Sequence, residues 1–363
     1  MTRTFAAPSR YTQSAGALNQ LGKLTERHGE TAFVIADDTV WELTAETVTQ
    51  SFESAAGTFK RLRFGGDCTV VEIDRLTTAA VEMGADVVVG IGGGKSLDTA
   101  KSVAARQELP VGSVPTIAAT DSPTSSISIV YGEDGSVVDA EKHRRHPEFV
   151  LVDTAVIAQA PTRWFVSGIG DALATWYEAT ATWESNGTTV FEDRPTYAGR
   201  ELAQACNRLL RDHARGAVQA VESDSVTEKV EAVTEAIILL SGLGFENGGL
   251  AAAHAIHDGL TTLPGAESAT HGEKVTIGLL TQLLLEGATD EDVGDIRNFA
   301  VSVGLPTDLS GLGVTDPSDE ELEAVGRVAT DPTGPIGNEP VDVSVEQVAD
   351  ALRVIENFDS IQQ

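Results

Sequence analysis

The chain has 363 residues, enough for roughly two domains each with its own core. It carries 55 Asp and Glu against 25 Lys and Arg, a formal net charge of −30, and only seven of the basic residues are Lys. That field disfavours nucleic acid and anionic membranes as partners, and the two isolated cysteines, Cys68 and Cys206, exclude a disulfide framework.

The carboxylates are scattered among apolar periodic segments, not gathered in the blocks of ~5–6 that mark acidic tails. Repulsion spread this way destabilises a compact chain at low ionic strength and is screened by salt, so composition points to a halophilic, high-salt cytoplasm. No window approaches the ~18 consecutive apolar residues of a membrane helix, and MTRTFAAPSRYTQ lacks the apolar core of a secretory signal. A soluble, cytoplasmic protein is expected.

From the amino end, residues 31–38 (TAFVIADD) predict a strand and 44–57 (TAETVTQSFESAAG) a helix. Residues 68–73 (CTVVEI) read as a strand, 74–84 (DRLTTAAVEMG) as a helix and 85–93 (ADVVVGIGG) as a strand. A helix over 97–107 and strands over 111–119 and 148–157 follow. Such alternation implies βαβ crossovers and a mostly parallel sheet. After Pro161 the texture changes: 167–217 and 227–260 are rich in Ala and Leu at 3.6 spacing. SDEE (318–321) and SVEQ (344–347) read as capping boxes opening the last helices. The expected architecture is an α/β domain with a mostly parallel sheet over 1–160, then an all-α domain over 161–363.

Four glycines, Gly90, Gly92, Gly93 and Gly94, fall within five positions at the end of an apolar run. Lys95, Asp98 and Lys101 follow at helical spacing. A bare backbone between a strand and a helix start lets a phosphate approach the N–H groups and the positive end of the helix dipole. The plain alternative is a tight turn packed for its own sake. The spacing is neither G-x-G-x-x-G, whose third glycine would fall at Lys95, nor a Walker loop.

The glycine turn keeps company with VPTIAATDSPTSSISIVY (114–131), GIGDALATWYEA from Gly168, AAAHAIHDGL from Ala251 and HGEKV from His271. In this order the motifs resemble the metal-dependent, iron-type polyol dehydrogenase family, and within it the members acting on glycerol. The resemblance covers nearly the whole chain, from Pro8 onward. It implies a dehydroquinate synthase-like architecture, with NAD bound by 1–160, metal and substrate by 161–363, and reaction between the two. Gly93, Gly94, Lys95 and Asp98 match positions that hold the pyrophosphate and nicotinamide portions of NAD. Asp37 matches the residue near the adenosine ribose, where a carboxylate favours NAD over NADP; a strand-end Asp capping a turn is the alternative. Thr116, Ser125, Ile127 and Tyr131 fall on positions lining the cofactor site. Ala119 stands where the family often has Ser, which puts one hydrogen bond in doubt.

Asp171, His254 and His271 match the family's metal ligands. One carboxylate and two imidazoles with a position open for substrate suit Zn²⁺, and equally Fe²⁺ in a facial arrangement. His257, three residues after His254 on the same helical face, is assigned no ligand role by the resemblance. Asp121 follows a strand, where a parallel sheet places ligand-binding groups, and is expected to accept a substrate hydroxyl; an Asx turn before Ser122-Pro123 is its plain alternative.

The implied reaction is reversible oxidation of glycerol at C2 to dihydroxyacetone, with Asp121, Asp171, His254 and His271 forming the catalytic and substrate-binding set. No residue is assigned as general base. Related diols, and a homo-oligomer of up to octameric size, are also implied. A glycerol-1-phosphate dehydrogenase of the same architecture needs a cationic phosphate pocket, against which the TDSPTS loop and the few lysines argue. Other iron-type alcohol or diol dehydrogenases are the remaining enzymatic alternative. A non-catalytic nucleotide-binding module is disfavoured because all three ligand positions are kept.

Overall fold

The computed structural model describes residues 2–361. The chain divides into two compact units, one formed by 7–162 with 220–242, the other by residues up to 6, 163–219 and 243 onward.

In the first unit the order is β1 (Tyr11–Ser14), α1 (Leu21–Thr25), β2 (Thr31–Ala36), α2 (Asp38–Glu53), β3 (Thr58–Arg63), α3 (Val70–Met83), β4 (Val87–Gly92), α4 (Gly94–Arg106) and β5 (Val111–Pro115). There follow β6 (Ile127–Tyr131), β7 (Val137–Lys142), β8 (Phe149–Asp153) and α5 (Thr154–Ala158). Among the described residues six strands form a parallel sheet in the order β1-β8-β5-β4-β2-β3, while β6 and β7 pair separately as an antiparallel ribbon. Strand alternation splits the core into two layers. Ala32, Val34, Ala36, Val87, Val89 and Ile91 pack on one face of the sheet, and Phe33, Ile35 and Val88 on the other. Each of these side chains is 0–2% exposed, worth ~1.5–3 kcal/mol for the larger ones.

Three expectations fail here. Residues 68–73 are not a strand: the Thr69 hydroxyl accepts from the Glu72 N–H and starts α3, whose Ile73, Leu76 and Ala80 face the core at helical spacing. The strand belongs instead to β3, TFKRLR, an edge strand whose basic residues hide its alternation; Arg61 and Arg63 both pair with Asp38. The expected strand over 148–157 stops at Asp153, whose carboxylate accepts from Ala155, Gly16 and Leu18 N–H groups and so turns the chain into α5. Helix α2 starts at Asp38 rather than 44 because Asp37 caps it.

The other unit contains α6 (Thr162–Glu184) from Arg163 onward and α7 (Tyr197–Val221) up to Gln219. The chain then returns to the first unit for α8 (Glu228–Glu235) and a π-helical turn, Ala236–Ser241. The helical unit resumes in α9 (Gly242–Gly248) and continues with α10 (Ala252–Leu260), α11 (His271–Leu285), α12 (Asp290–Val303), α13 (Asp319–Ala329) and α14 (Val345–Ile361). Both expected capping boxes form, at Ser318 with Glu321 and at Ser344 with Gln347. Ile256, Leu260, Ile277, Leu322, Val325, Val348 and Leu352 close the helical core. Among the described residues no single helix is long and apolar enough to cross a membrane, and both buried cysteines stand outside any disulfide.

Candidate active site

The glycine turn sits where the strand order reverses. β2 lies between β3 and β4, so the carboxyl ends of β2 and β4, carrying Asp37 and Gly92, are neighbours at the switch point of the sheet, the general place for ligands in such folds. Gly90 is needed for packing, since a Cβ there would meet Ala100 Cβ at 2.7 Å. Gly92 has φ +150° and opens the turn. Gly93 is the N-cap of α4 and brings no side chain to its orphan N–H groups. A Cβ on Gly94 would lie 3.7 Å from the hydroxyls of Thr120 and Ser122, so the first turn of α4 opens onto two hydroxyl groups. Bare N–H groups, a helix start and hydroxyls form a cradle suited to a phosphate.

The other expected cofactor residues sort into two groups. Lys95 pairs with Asp67 and lies 4.8 Å from the Tyr131 ring centroid. Thr116 donates its N–H to Gly92, at the same turn. Asp37 is half-buried, with Oδ1 accepting from Val40 N–H at 2.8 Å. Asp98, by contrast, is buried and already engaged: its Oδ1 accepts from the Ser122 hydroxyl at 2.9 Å and pairs with Lys101 at 2.8 Å, and its Oδ2 accepts from Ile129 N–H at 3.0 Å. Lys101, which the sequence reading noticed only as a second charge, also donates to the carbonyls of Ser122 (3.2 Å), Ser125 (3.3 Å) and Ile127. Together Asp98 and Lys101 fasten the loop carrying Ser125 and Ile127 to α4. Asp121 precedes a short 3-10 turn in that loop, and its Oδ2 accepts from the Ser241 hydroxyl at 2.9 Å.

In the helical unit Asp171 of α6, His254 of α10 and His271 of α11 converge, one ligand atom from each lying within 4.8 Å of the others. Oδ1 of Asp171 is 3.0 Å from Nε2 of His271 and 3.3 Å from Nε2 of His254. Asp171 is 1% exposed. Burial pushes its carboxyl up, but the His271 charge and the hydrogen bonds of both imidazoles outweigh that and hold it far below the usual carboxylate range. Close helix packing brings the donors together: a Cβ on Gly170 would meet Gly272 O at 2.4 Å, and one on Gly272 would meet Ser167 O at 1.7 Å. His257 stays outside the set. Its ring stands edge-on to His271 at 4.2 Å and its Nδ1 faces Asp258 at 3.0 Å; burial and then the His271 charge push it down to about 4.

Sequence reasoning missed Glu178. It is fully buried, its Oε2 lies 2.7 Å from His254 Nδ1, and its Oε1 accepts from the N–H groups of Ala251 (2.9 Å) and His254 (3.0 Å). A signal was present: Glu178 follows Asp171 by two helical turns on the same buried face of α6.

Residues 8–154 match the iron-containing alcohol dehydrogenase family. The chain is 46% identical over 352 residues to a glycolaldehyde reductase of Halobacterium salinarum, covering 97% of this chain and 96% of that protein. It is 43% identical over 359 residues to a glycerol dehydrogenase of Thermotoga maritima, covering 99% of this chain and 98% of that protein. The crystal structure of glycerol dehydrogenase from Schizosaccharomyces pombe superposes with a TM-score of 0.96 at 37% identity, over 100% of this chain and 92% of that one. The chain belongs to the iron-containing alcohol dehydrogenase family.

Proposed function

We propose that this chain is an NAD-dependent alcohol oxidoreductase that oxidises glycerol at C2 to dihydroxyacetone, reversibly, with a divalent ion at Asp171, His254 and His271. The observation that carries the reading is the cluster itself: a buried carboxylate oxygen facing two Nε2 atoms, with a second carboxylate behind one of the imidazoles. That donor set fits Zn²⁺ first and Fe²⁺ as the alternative. When bound, the ion supplies Lewis acidity that makes an alcohol hydroxyl easier to deprotonate, and NAD supplies the hydride acceptor.

The protein's own groups do the rest. Glu178 takes the Nδ1 proton of His254 as a hydrogen bond, so Nε2 presents its lone pair toward Asp171. Asp121, steadied by Ser241, accepts a hydrogen bond from a hydroxyl of the polyol. The cradle of Gly93 and Gly94 takes the pyrophosphate, with Lys95, Asp98, Thr116, Ser125, Ile127 and Tyr131 around the remaining cofactor and Asp37 at the ribose. The cofactor unit is the α/β part of the chain and the metal unit the helical part. A homo-oligomer, octameric in the fullest form, working in a saline cytoplasm, completes the reading.

The similarity to a glycolaldehyde reductase favours a second reading, in which the same site reduces a short hydroxyaldehyde. Initial rates of NADH formation from glycerol and from glycerol-1-phosphate, and of NADH consumption with glycolaldehyde, separate the possibilities when run with Zn²⁺ or Fe²⁺ at low and multimolar KCl. Glycerol turnover with higher kcat/KM than glycolaldehyde supports the first reading, and the reverse ranking supports the second. Turnover of the phosphorylated substrate alone overturns both. Asp121→Ala should raise KM for glycerol more than it lowers kcat, and unchanged kinetics would remove Asp121 from the site.

A further inference from the structure

Helix α10, which carries His254, begins without a cap of its own. Its N-cap residue is Ala251, which has no side chain able to accept. The first N–H groups are instead taken by three side chains from elsewhere in the helical unit: Glu178 from α6, Gln282 from α11 (to Ala253 N–H, 2.9 Å) and Glu339 from the segment before α14 (to Ala252 N–H, 2.7 Å). Glu339 is 7% exposed. Its second oxygen, Oε2, is buried and meets no N–H, and the neighbouring charge that acts most on this carboxyl is that of Glu286. Glu286 in turn accepts from the Gln282 amide at 2.8 Å. The segment that delivers Glu339 is pinned by its neighbour, since the Asn338 amide donates to the carbonyls of Leu250 (2.7 Å) and Thr188 (2.9 Å).

We propose that Glu339 is a positioning residue for the metal centre: its carboxyl, sharing a proton with Glu286, holds the first turn of α10 and thereby sets His254 against Asp171. Two carboxylates this close in a buried setting cannot both be charged at low cost, so one keeps its proton. With the proton in place, Glu339 donates to Glu286 through one oxygen and accepts from Ala252 through the other. Burial first, then the charges of Glu286 and Glu178, push Glu339 up to about 9. Burial, with the charges of Glu184 and Glu178, also raises Glu286. As pH rises past about 9 Glu339 loses its proton, and repulsion from Glu286 works against its hold on the helix start.

The inference rests on the metal reading above. The test measures Zn²⁺ affinity by competition with a chromophoric chelator from pH 7 to 10, for the full-length protein and two variants. Glu339→Ala should bind Zn²⁺ at least ~10-fold more weakly throughout, the scale of outer-sphere partners. Glu339→Gln mimics the protonated carboxyl, so it should match the wild type within twofold at pH 7 and bind more tightly than the wild type at pH 10. Equal affinity of Glu339→Ala and wild type, or an alkaline loss in Glu339→Gln as large as in the wild type, overturns the proposal alone. Absence of Zn²⁺ binding by the wild type overturns the metal reading and this proposal with it.

Discussion

Oε2 of Glu178 lies 2.7 Å from Nδ1 of His254, while Oε1 of the same carboxylate accepts from the backbone N–H groups of Ala251 and His254. One carboxylate therefore fixes both the position of the imidazole and the nitrogen that carries its proton.

Replacing Glu178 with Gln tests that pairing. The amide oxygen is claimed by the two backbone N–H groups, which turns the NH₂ toward Nδ1 and forces the proton of His254 onto Nε2, where it blocks ligation. Zn²⁺ affinity should fall ~10–100-fold with little change in the far-ultraviolet spectrum. Isothermal titration measures it, and a change below twofold would show that the tautomer is set elsewhere.

Lys101→Met addresses the buried pair in the cofactor unit. The Lys101 and Asp98 side chains are 2% and 8% exposed, so removing the ammonium leaves a buried carboxylate with one less partner and takes a donor from three carbonyls, of which those of Ser122 and Ile127 keep one from Ser125. A loss of ~3–5 kcal/mol in urea unfolding is expected. NADH affinity should weaken too, because the fastened loop carries Ser125 and Ile127. Stability within 1 kcal/mol of wild type (roughly the cost of an ordinary surface change) would mean the pair is not the fastener.

His143 gives the cofactor unit a pH dependence. Its Nε2 lies 2.8 Å from the Ser128 hydroxyl, and burial, then the Lys101 charge, lower its pKa; Glu141 and Asp98 act the other way, and Arg106 adds to the lowering. Above the unfolded value near 6.5 neither state binds the proton and nothing is lost. As pH falls through that value the unfolded chain takes the proton while the folded chain resists it, so stability declines toward the folded pKa. Denaturation midpoints from pH 7.5 to 5 should fall less in His143→Gln than in wild type. Parallel curves would exclude His143 as the cause.

The net charge of −30 predicts a gain in stability with salt. At molar KCl the Debye length shrinks to ~3 Å, and repulsion among scattered carboxylates is largely removed. Tm should climb by about 10 °C between 0.1 and 3 M KCl if screening returns several kcal/mol, at ~2–4 °C for each. Sorbitol at equal osmolality should not reproduce the rise, and if it does, the effect is solvent exclusion rather than charge.

What the sequence disclosed follows from whether the determinant is local. Strand β4, the glycine turn and α4 are legible because an apolar run, a bare backbone and a charged helix start are contiguous. Residues 68–73 misled because Val70, Val71 and Ile73 are β-branched, whereas the deciding feature is the single hydroxyl of Thr69 capping α3. The convergence of Asp171, His254 and His271 is legible only through motif resemblance; their sequence separation leaves no periodic trace. Glu178, Glu339 and the fastening role of Lys101 are illegible for the opposite reason to a motif: each acts through backbone groups of a distant segment, and a backbone N–H or carbonyl leaves no letter in the sequence.

The uncapped start of α10 also sets an order of events in synthesis. Residues emerge from the amino end at ~5–20 per second, so Asp171 is exposed long before the chain has made His254, His271, Gln282 and finally Glu339. A nascent or truncated chain offers a lone acid and later two loosely held imidazoles, not a finished cage. An ion held at full strength at the proposed centre thus reports that synthesis has passed Glu339.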